Sequence, residues 1–187
     1  MNEEKNFNTT DEEVSQELPD SVLYEGVIQS IERSVDDKTD ALTMESDTFG
    51  DYILYAGPET VAVDDTAHTL TEISQLKTGA AVRVFHSPII MMSLPPRAAA
   101  FAVVHHLSDA EPHAQYLKAE EVMVEGNTLK ITFNHGNSVI TADETTVLPE
   151  GETLSQIRKE DCIMVWGGEK SPASHLIRLP RRKMMDL

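Results

Sequence analysis

An imperfect internal repeat limits the folds that this chain can adopt. Residues Ile73–Phe85 read ISQLKTGAAVRVF, and residues Leu154–Trp166 read LSQIRKEDCIMVW. Each copy ends in a run of apolar residues, of the kind that forms a strand with one face against a core. A Ser-Pro pair follows both copies, at positions 87–88 and 171–172. The repeat predicts two related β-rich units in tandem.

Short strands separated by turn residues predict the fold class. Runs rich in β-forming residues, such as 22–32, 81–85 and 128–134, are separated by Gly, Pro and Asp turns. This spacing is typical of all-β folds, and helix is expected only in the turn before each repeated strand. We therefore predict two tandem small β-barrel-like units of the OB or SH3-like kind. One larger β-sandwich in which both units share a core is the alternative.

Composition divides the chain into four parts. Residues 1–20 are polar and acidic, which predicts a disordered N-terminal tail. The first unit is expected over 21–107, followed by a polar linker over 108–114. The second unit, with a basic C-terminal tail, is expected over 115–187.

Charge and cysteine content narrow the possible partners and compartments. The formal net charge is −17. Nucleic-acid affinity rests mainly on Lys and Arg, so no nucleic acid is expected as a partner. The single cysteine, Cys162, cannot form an intrachain disulfide. No segment has the pattern of a signal peptide or of a membrane span, so membrane insertion is not expected. We expect a cytoplasmic protein if Met1 is the native start, and a secreted or cell-envelope protein if a leader has been removed.

Part of the chain resembles a known family. The resemblance is carried by Leu76–Phe85, by the pair Met91-Met92 and by the run Pro95-Pro96-Arg97-Ala98. These residues are similar to a β-rich domain of unknown function that is common in anaerobic Gram-positive bacteria, sometimes beside copper-amine-oxidase-like N-terminal domains. The resemblance covers about residues 22 to 180. It implies a β-rich fold and, in many relatives, export, but it brings neither catalytic residues nor amine oxidase activity.

The densest group of potential metal ligands follows the first unit. His105, His106 and His113 stand there with Asp109 and Glu111. Imidazole and carboxylate groups suit Zn²⁺, Ni²⁺ or Cu²⁺, so the three histidines are candidate metal ligands. Because neighbouring residues of a strand point to opposite faces, a polar linker without a metal is the other interpretation.

The loop after the first repeat is the candidate partner-binding site. Ile89, Ile90, Met91 and Met92 are consecutive and apolar. Two interpretations are open for them. They form an exposed patch, which would mark a partner or ligand site, or they plug one end of the first barrel.

Positive charge is concentrated late in the chain. One interpretation is compensation of an acidic surface, or of the acidic leader folding back. The other is an anion or partner site. The residues are Arg158, Lys159, Arg178, Arg181, Arg182 and Lys183.

No catalytic motif is recognisable in the sequence, and no cofactor is expected. Cys162, at the start of an apolar run, is interpreted as an inert thiol. The acidic pairs Asp64-Asp65 and Asp143-Glu144 are interpreted as turn formers. Acid–base chemistry by these pairs, in a hydrolase, is the least favoured hypothesis.

The favoured function is a non-enzymatic binding or interaction module, whose partner is an unknown protein or small ligand. It follows from repeated structural motifs without a repeated catalytic group. The alternative is a small-ligand or metal-binding protein that uses the cleft between the units, near His105, His106 and His113.

Overall fold

The computed structural model describes residues 17–180. The predicted tails therefore fall largely outside the described residues, as 1–16 and 181–187. Among the described residues are thirteen strands and two single-turn 3-10 segments, Ile73–Gln75 and Leu154–Gln156, which confirms the all-β prediction with little helix. None of the helical segments in 17–180 is long and apolar enough to cross a membrane. The strands are β1 (Val22–Glu32), β2 (Asp40–Glu45), β3 (Tyr52–Ala56), β4 (Val61–Asp64), β5 (Thr69–Thr71), β6 (Ala81–His86), β7 (Arg97–His105), β8 (Ala114–Lys118), β9 (Glu121–Glu125), β10 (Thr128–Phe133), β11 (Ser138–Ala142), β12 (Cys162–Trp166) and β13 (His175–Arg178).

Five strands of the first half of the chain, which comprises β1 to β7, close into a barrel. β1 pairs with β2 and β6, β2 pairs with β3, and β6 pairs with β7. A parallel pairing of β3 with β7 completes the ring. This is a five-stranded barrel of the small size predicted for the first unit. Buried side chains from alternate positions fill it, among them Ile28, Leu42, Leu54, Val84 and Val103.

β1 serves two neighbours because it bends. Its residues 22–27 pair with β6, and residues 27–32 pair with β2, with a register shift between Ile28 and Ser30. Gly26 lies at the bend, where an added Cβ would collide with the carbonyl oxygen of Glu45. A side chain at position 26 would therefore force β1 and β2 apart.

The second half of the chain, which comprises β8 to β13, consists of two three-stranded sheets. Their strand orders are β11-β10-β9 and β13-β12-β8. The strands β8 and β9 are separated at Ala119-Glu120. A separate buried cluster fills this half, including Leu129, Ile131 and Ile163.

Some backbone contacts of the second half match those of the first. The amide of Ile28 donates to the carbonyl of residue 80, and its carbonyl accepts from the amide of residue 79. Ala119 makes the same two bonds with residues 161 and 160. The match supports the prediction of two homologous units, which stays a prediction.

A third apolar cluster joins the two halves. It lies between the outer faces of β6 and β7 and the strands β8, β12 and β13. The barrel and the second half thus have separate cores and an apolar interface, in contrast to the single shared core of the sandwich alternative. Buried members of this interface include Val63, Phe85, Val104, Met164, Trp166 and Ile177.

Candidate functional site

Asp65, just after β4, is the polar centre of the interface between the halves. Its side chain is fully buried. Oδ1 accepts hydrogen bonds from the Ala114 amide and from the Trp166 indole, both at 2.8 Å. Oδ2 accepts from the Ser108 amide at 3.0 Å and lies 2.8 Å from Nδ1 of His113. Burial favours a raised pKa for Asp65, but these hydrogen bonds outweigh burial and hold its pKa below the usual value.

Asp65 does lie in the turn after β4, but its side chain makes its hydrogen bonds outside that turn. Its neighbour Asp64 does act as a turn former, because its Oδ1 accepts from the Ala67 amide at 2.8 Å. Asp143 likewise accepts from the amide of Thr145 at 2.8 Å. Asp65 instead holds both ends of the segment 108–114, so this stretch is tied to the interface.

The three histidines predicted as metal ligands have separate partners. The rings of His105 and His106 lie 4.3 Å apart, because His106 has a positive φ of 49° and does not continue the alternation of β7. Within residues 17–180, no group of three His, Cys, Asp or Glu side chains is arranged to hold a metal ion. The metal site stays a prediction. The partners are Thr71 Oγ1 for His105 Nε2 at 2.8 Å, Asp64 Oδ2 for His106 Nδ1 at 2.7 Å, and Asp65 Oδ2 for His113 Nδ1 at 2.8 Å.

A cleft of about 410 Å³ opens beside this interface, between the β4–β5 turn and the second half. At its wall, the imidazoles of His68 and His175 stack 3.8 Å apart, with 7° between their planes. The ring centroids of His68 and Trp166 lie 4.9 Å apart, with 82° between the ring planes. Burial, and secondarily the nearby His68, lower the pKa of His175. A neutral His175 can stack on its neighbour without charge repulsion.

The sequence did not single out His68 or His175. Each is a lone histidine in its own segment, one in a turn and one in a short strand. Their positions 68 and 175 are far apart in the chain, and no local pattern connects them. The single tryptophan, Trp166, was the one nearby signal.

The apolar loop between β6 and β7 is largely exposed. The exposed fractions are 74% for Ile89, 63% for Met91, 93% for Met92 and 98% for Leu94. Ile90 is different, because it packs against the barrel core. Ile90 thus lies as in the plug interpretation, whereas Ile89, Met91 and Met92 are exposed. A partner site at this loop stays a prediction.

This loop has a defined backbone. The Met91 amide donates to the Arg97 carbonyl at 2.8 Å, and the Arg97 amide donates to the Met91 carbonyl at 3.2 Å. The Ser93 hydroxyl donates to the carbonyl of Pro95 at 2.7 Å. The loop thus extends the β6–β7 pair and presents its apolar side chains on a folded scaffold.

The remaining candidates have structural contacts. The Tyr116 hydroxyl donates to Sγ of Cys162 at 3.1 Å, and this thiol is partly buried. Of the late basic residues, Arg158 and Lys159 line a groove on the second half, and Arg178 lines the cleft beside Trp166. Arg181, Arg182 and Lys183 lie outside the described residues.

Comparison with known proteins does not assign a family. No protein-family model matches the chain, and no curated protein is significantly similar to it. The resemblance to the β-rich domain of anaerobic Gram-positive bacteria stays a prediction.

Proposed function

We propose that this protein is a non-enzymatic interaction module whose partner binds the apolar loop 89–94. One observation carries the proposal: four large apolar side chains of this loop are each more than 60% exposed. Single exposed apolar residues are common on protein surfaces, but groups of them are typical of partner sites.

The chemistry of the loop supports an apolar partner surface. Charged residues make up 25% of the chain, yet residues 87–96 contain none. The two methionines are flexible and polarizable, which suits contact with an irregular apolar recess. Because the Met91–Arg97 backbone bonds already order the loop, binding would cost little conformational entropy.

Photo-crosslinking tests this proposal directly. A benzoylphenylalanine residue placed at Met92 should capture a defined partner from an extract of the source cells. The same residue placed at Glu144, an exposed turn position in the second half, is the matched control. The captured protein, once purified, should bind the wild-type chain and lose at least tenfold in affinity for the variant Ile89→Ser/Met92→Ser/Leu94→Ser. Equal binding by both chains, or the same capture at position 144, would reject the proposal.

Stability measurements separate loss of binding from loss of folding. The triple serine variant should unfold at nearly the wild-type temperature, because its three side chains are mostly in water. Ile90→Ser should lower the midpoint temperature of thermal unfolding, because Ile90 packs on the barrel core. A large loss of stability in the triple variant would show that the loop is structural.

The cleft beside Trp166 supports a second candidate function, the binding of a small and mainly apolar ligand. Its volume of about 410 Å³ suits such a ligand. Leu70 and Val147, from the two halves, line it and are about half exposed. The edges of the His68 and His175 rings, together with Arg178, add polar groups that would orient an aromatic carboxylate.

Tryptophan fluorescence tests the second candidate. Trp166 is the only tryptophan and lies against His68, so a ligand in the cleft should change its emission. Benzoate and phenylacetate, which do not emit in the range of tryptophan fluorescence, are suitable probes. Val147→Phe, which narrows the cleft, should abolish the change, whereas Val139→Phe on β11 should leave it intact. If Val147→Phe leaves the fluorescence titration unchanged, the probes bind outside the cleft.

A further inference from the structure

The second half has an open groove between β9 and its 3-10 segment. The volume of the groove is about 750 Å³. Val122 and Val124 line it from β9, and Leu154 and Ile157 line it from the other side. Val124 is 69% exposed, although Leu129, its partner on β10, is buried and also lines the groove. The groove thus exposes apolar side chains at the border of the second core.

In the barrel, Arg33 bridges the matching gap. Its Nη2 donates to two backbone carbonyls of the segment 74–76, at 3.3 and 3.2 Å. Arg33 lies five residues after Ile28, and Val124 lies five residues after Ala119, whose backbone contacts match those of Ile28. A valine has no donor with which to bridge the gap, so the groove of the second half stays open.

The charged residues that line the groove balance one another. They are two acidic and two basic residues, Glu120, Glu121, Arg158 and Lys159. The Glu120 carboxylate accepts hydrogen bonds from the amides of residues 135 and 136, and the Arg158 guanidinium donates to carbonyls of its own segment. An acidic or a basic occupant would each meet like charges at this border. The groove therefore favours an apolar occupant without charge.

The loop 89–94 has this chemistry. Residues 87–96 contain no charged residue, and four large apolar side chains of the loop are exposed. Among the described residues, no other run of ten has four exposed large apolar side chains. None of residues 87–96 lines the groove or belongs to the buried cluster of the second half. The loop therefore does not fill the groove of its own chain, and both surfaces are open to another molecule.

We propose that the groove along β9 binds the loop 89–94 of a second copy of this chain. The proposal rests on the proposed function, because it takes this loop as the partner-binding surface and identifies the partner. Since the loop and the groove are different surfaces, the contact is heterologous, and copies join head to tail. Each copy has a net charge of −17, which opposes the contact and is screened by salt.

Sedimentation velocity of the purified chain tests the self-association. We expect the sedimentation coefficient to rise with protein concentration. It should rise further when sodium chloride is added, because salt screens the repulsion between two acidic copies while the apolar contact remains. A chain that stays monomeric at every protein and salt concentration would overturn the proposal.

Mixing two variants tests the head-to-tail contact. The triple serine variant of the loop keeps an intact groove, whereas Val124→Arg keeps an intact loop and places a guanidinium where Arg33 stands in the barrel. Each variant alone should associate at least tenfold more weakly than the wild type. An equimolar mixture should form dimers and nothing larger, because one loop and one groove remain intact. Met123→Arg, on the opposite face of β9, is the matched control and should assemble like the wild type. A mixture without dimers would overturn the proposal.

A second groove variant keeps the test valid if Val124→Arg does not fold. Ser155 is exposed and lines the groove, so Ser155→Trp should block it with little effect on the core. Association that survives in both groove variants would overturn the proposal, as would association that survives in the triple serine variant.

Crosslinking of the purified chain separates this inference from the proposed function. Benzoylphenylalanine at Met92 should crosslink to a second copy, within 121–124 or 154–159. If the purified chain stays monomeric while position 92 captures a different protein from the extract, this inference fails and the proposed function stands.

Discussion

The indole Nε1 of Trp166 donates a hydrogen bond to Oδ1 of Asp65 at 2.8 Å, across 101 residues of sequence. Both side chains are almost fully buried. A buried carboxylate is stable only when its hydrogen-bonding capacity is satisfied, and Asp65 of the first half meets this requirement with donors from the segment 108–114 and from Trp166 of the second half. The bond therefore links the packing of the barrel to that of the second half.

Asp65→Asn should lower the free energy of unfolding by about 2–4 kcal/mol. The side-chain amide of asparagine would point its own N–H donors at the N–H donors that bind the Asp65 carboxylate. At least one buried donor of the interface would then lose its acceptor. Urea denaturation followed by circular dichroism measures the loss. Asp64→Asn is the matched control and should cost less than half as much, because Asp64 is less buried. Equal losses would show that Asp65 has no special role.

A double-mutant cycle isolates the contact between Asp65 and Trp166. Trp166→Phe keeps the aromatic packing in part and removes the donor. We expect the two substitutions to be non-additive by about 0.5–3 kcal/mol in the free energy of unfolding, because their side chains share one hydrogen bond. Strict additivity would contradict the bond. The cycle is followed by circular dichroism, since Trp166 is the only tryptophan.

Gly26→Ala should destabilise the barrel by about 1–3 kcal/mol. The added methyl group would collide with the Glu45 carbonyl and lie 2.8 Å from the ring of Tyr24. Gly50→Ala is the control: its φ of +75° strains an alanine, but the methyl group meets no atom within 4 Å. Thermal unfolding of both variants separates collision from backbone strain. A smaller loss for position 26 than for position 50 would contradict the close approach of the strands.

Two threonines make the same pair of hydrogen bonds in the two halves. The Thr60 hydroxyl donates to the carbonyl of Ala100 at 2.8 Å and accepts from the Gly57 amide at 2.9 Å. The Thr146 hydroxyl donates to the carbonyl of Ala173 at 2.7 Å and accepts from the Asp143 amide at 3.1 Å. Substitution of either threonine by valine should cost about 1–3 kcal/mol in the free energy of unfolding, because two backbone groups lose a partner.

Thr→Ser at the same positions keeps the hydroxyl and should recover most of that stability. Chemical denaturation of the four single variants measures both effects. If valine and serine are equally tolerated at position 60 but not at position 146, the two sites are not equivalent. Such a result would count against the prediction of homologous units.

The protein should lose stability as the pH falls from 7.5 to 5.5. Burial lowers the pKa of His86, His105 and His175 in the folded chain. The unfolded chain binds protons on these histidines below about pH 6.5, while the folded chain does not. Stability therefore falls as the pH passes downward through that value, by up to about 1.4 kcal/mol per pH unit for each histidine.

Urea denaturation at pH 7.5, 6.5 and 5.5 measures this slope. His175→Gln should reduce this slope, because the variant lacks one of the three histidines whose pKa is lowered in the folded chain. A stability that is constant or rises on acidification would contradict the burial of these rings as neutral groups. Below about pH 4, protonation of Asp65 should add a further loss as the pH falls toward the lowered pKa of that carboxyl in the folded chain.

The strands, turns and scarcity of helix could be predicted from the sequence because they follow from neighbouring residues. Alternating apolar residues such as Val82 and Val84 place a strand against a core wherever the chain runs. Gly, Pro and Asp then mark where each strand ends. The break between β8 and β9 has no such mark in the sequence, because the run 116–124 contains no Gly or Pro.

The exposure of the loop 89–94 could not be predicted in the same way. An apolar run looks the same in sequence whether it plugs a barrel or faces water. Its outcome depends on the ends of β6 and β7, which admit Ile90 to the core and leave Met92 and Leu94 outside.

An all-β chain, a repeated strand pattern and a candidate apolar loop follow from the order of the residues alone, because period and turn chemistry are local properties. The lone polar residues that matter are recognisable only in the folded chain. Asp65, His68 and His175 acquire their roles from Trp166, which reaches them through the packing of one half on the other. Hydrogen bonds and ring contacts act over a few ångströms in space, and no spacing along the chain records them.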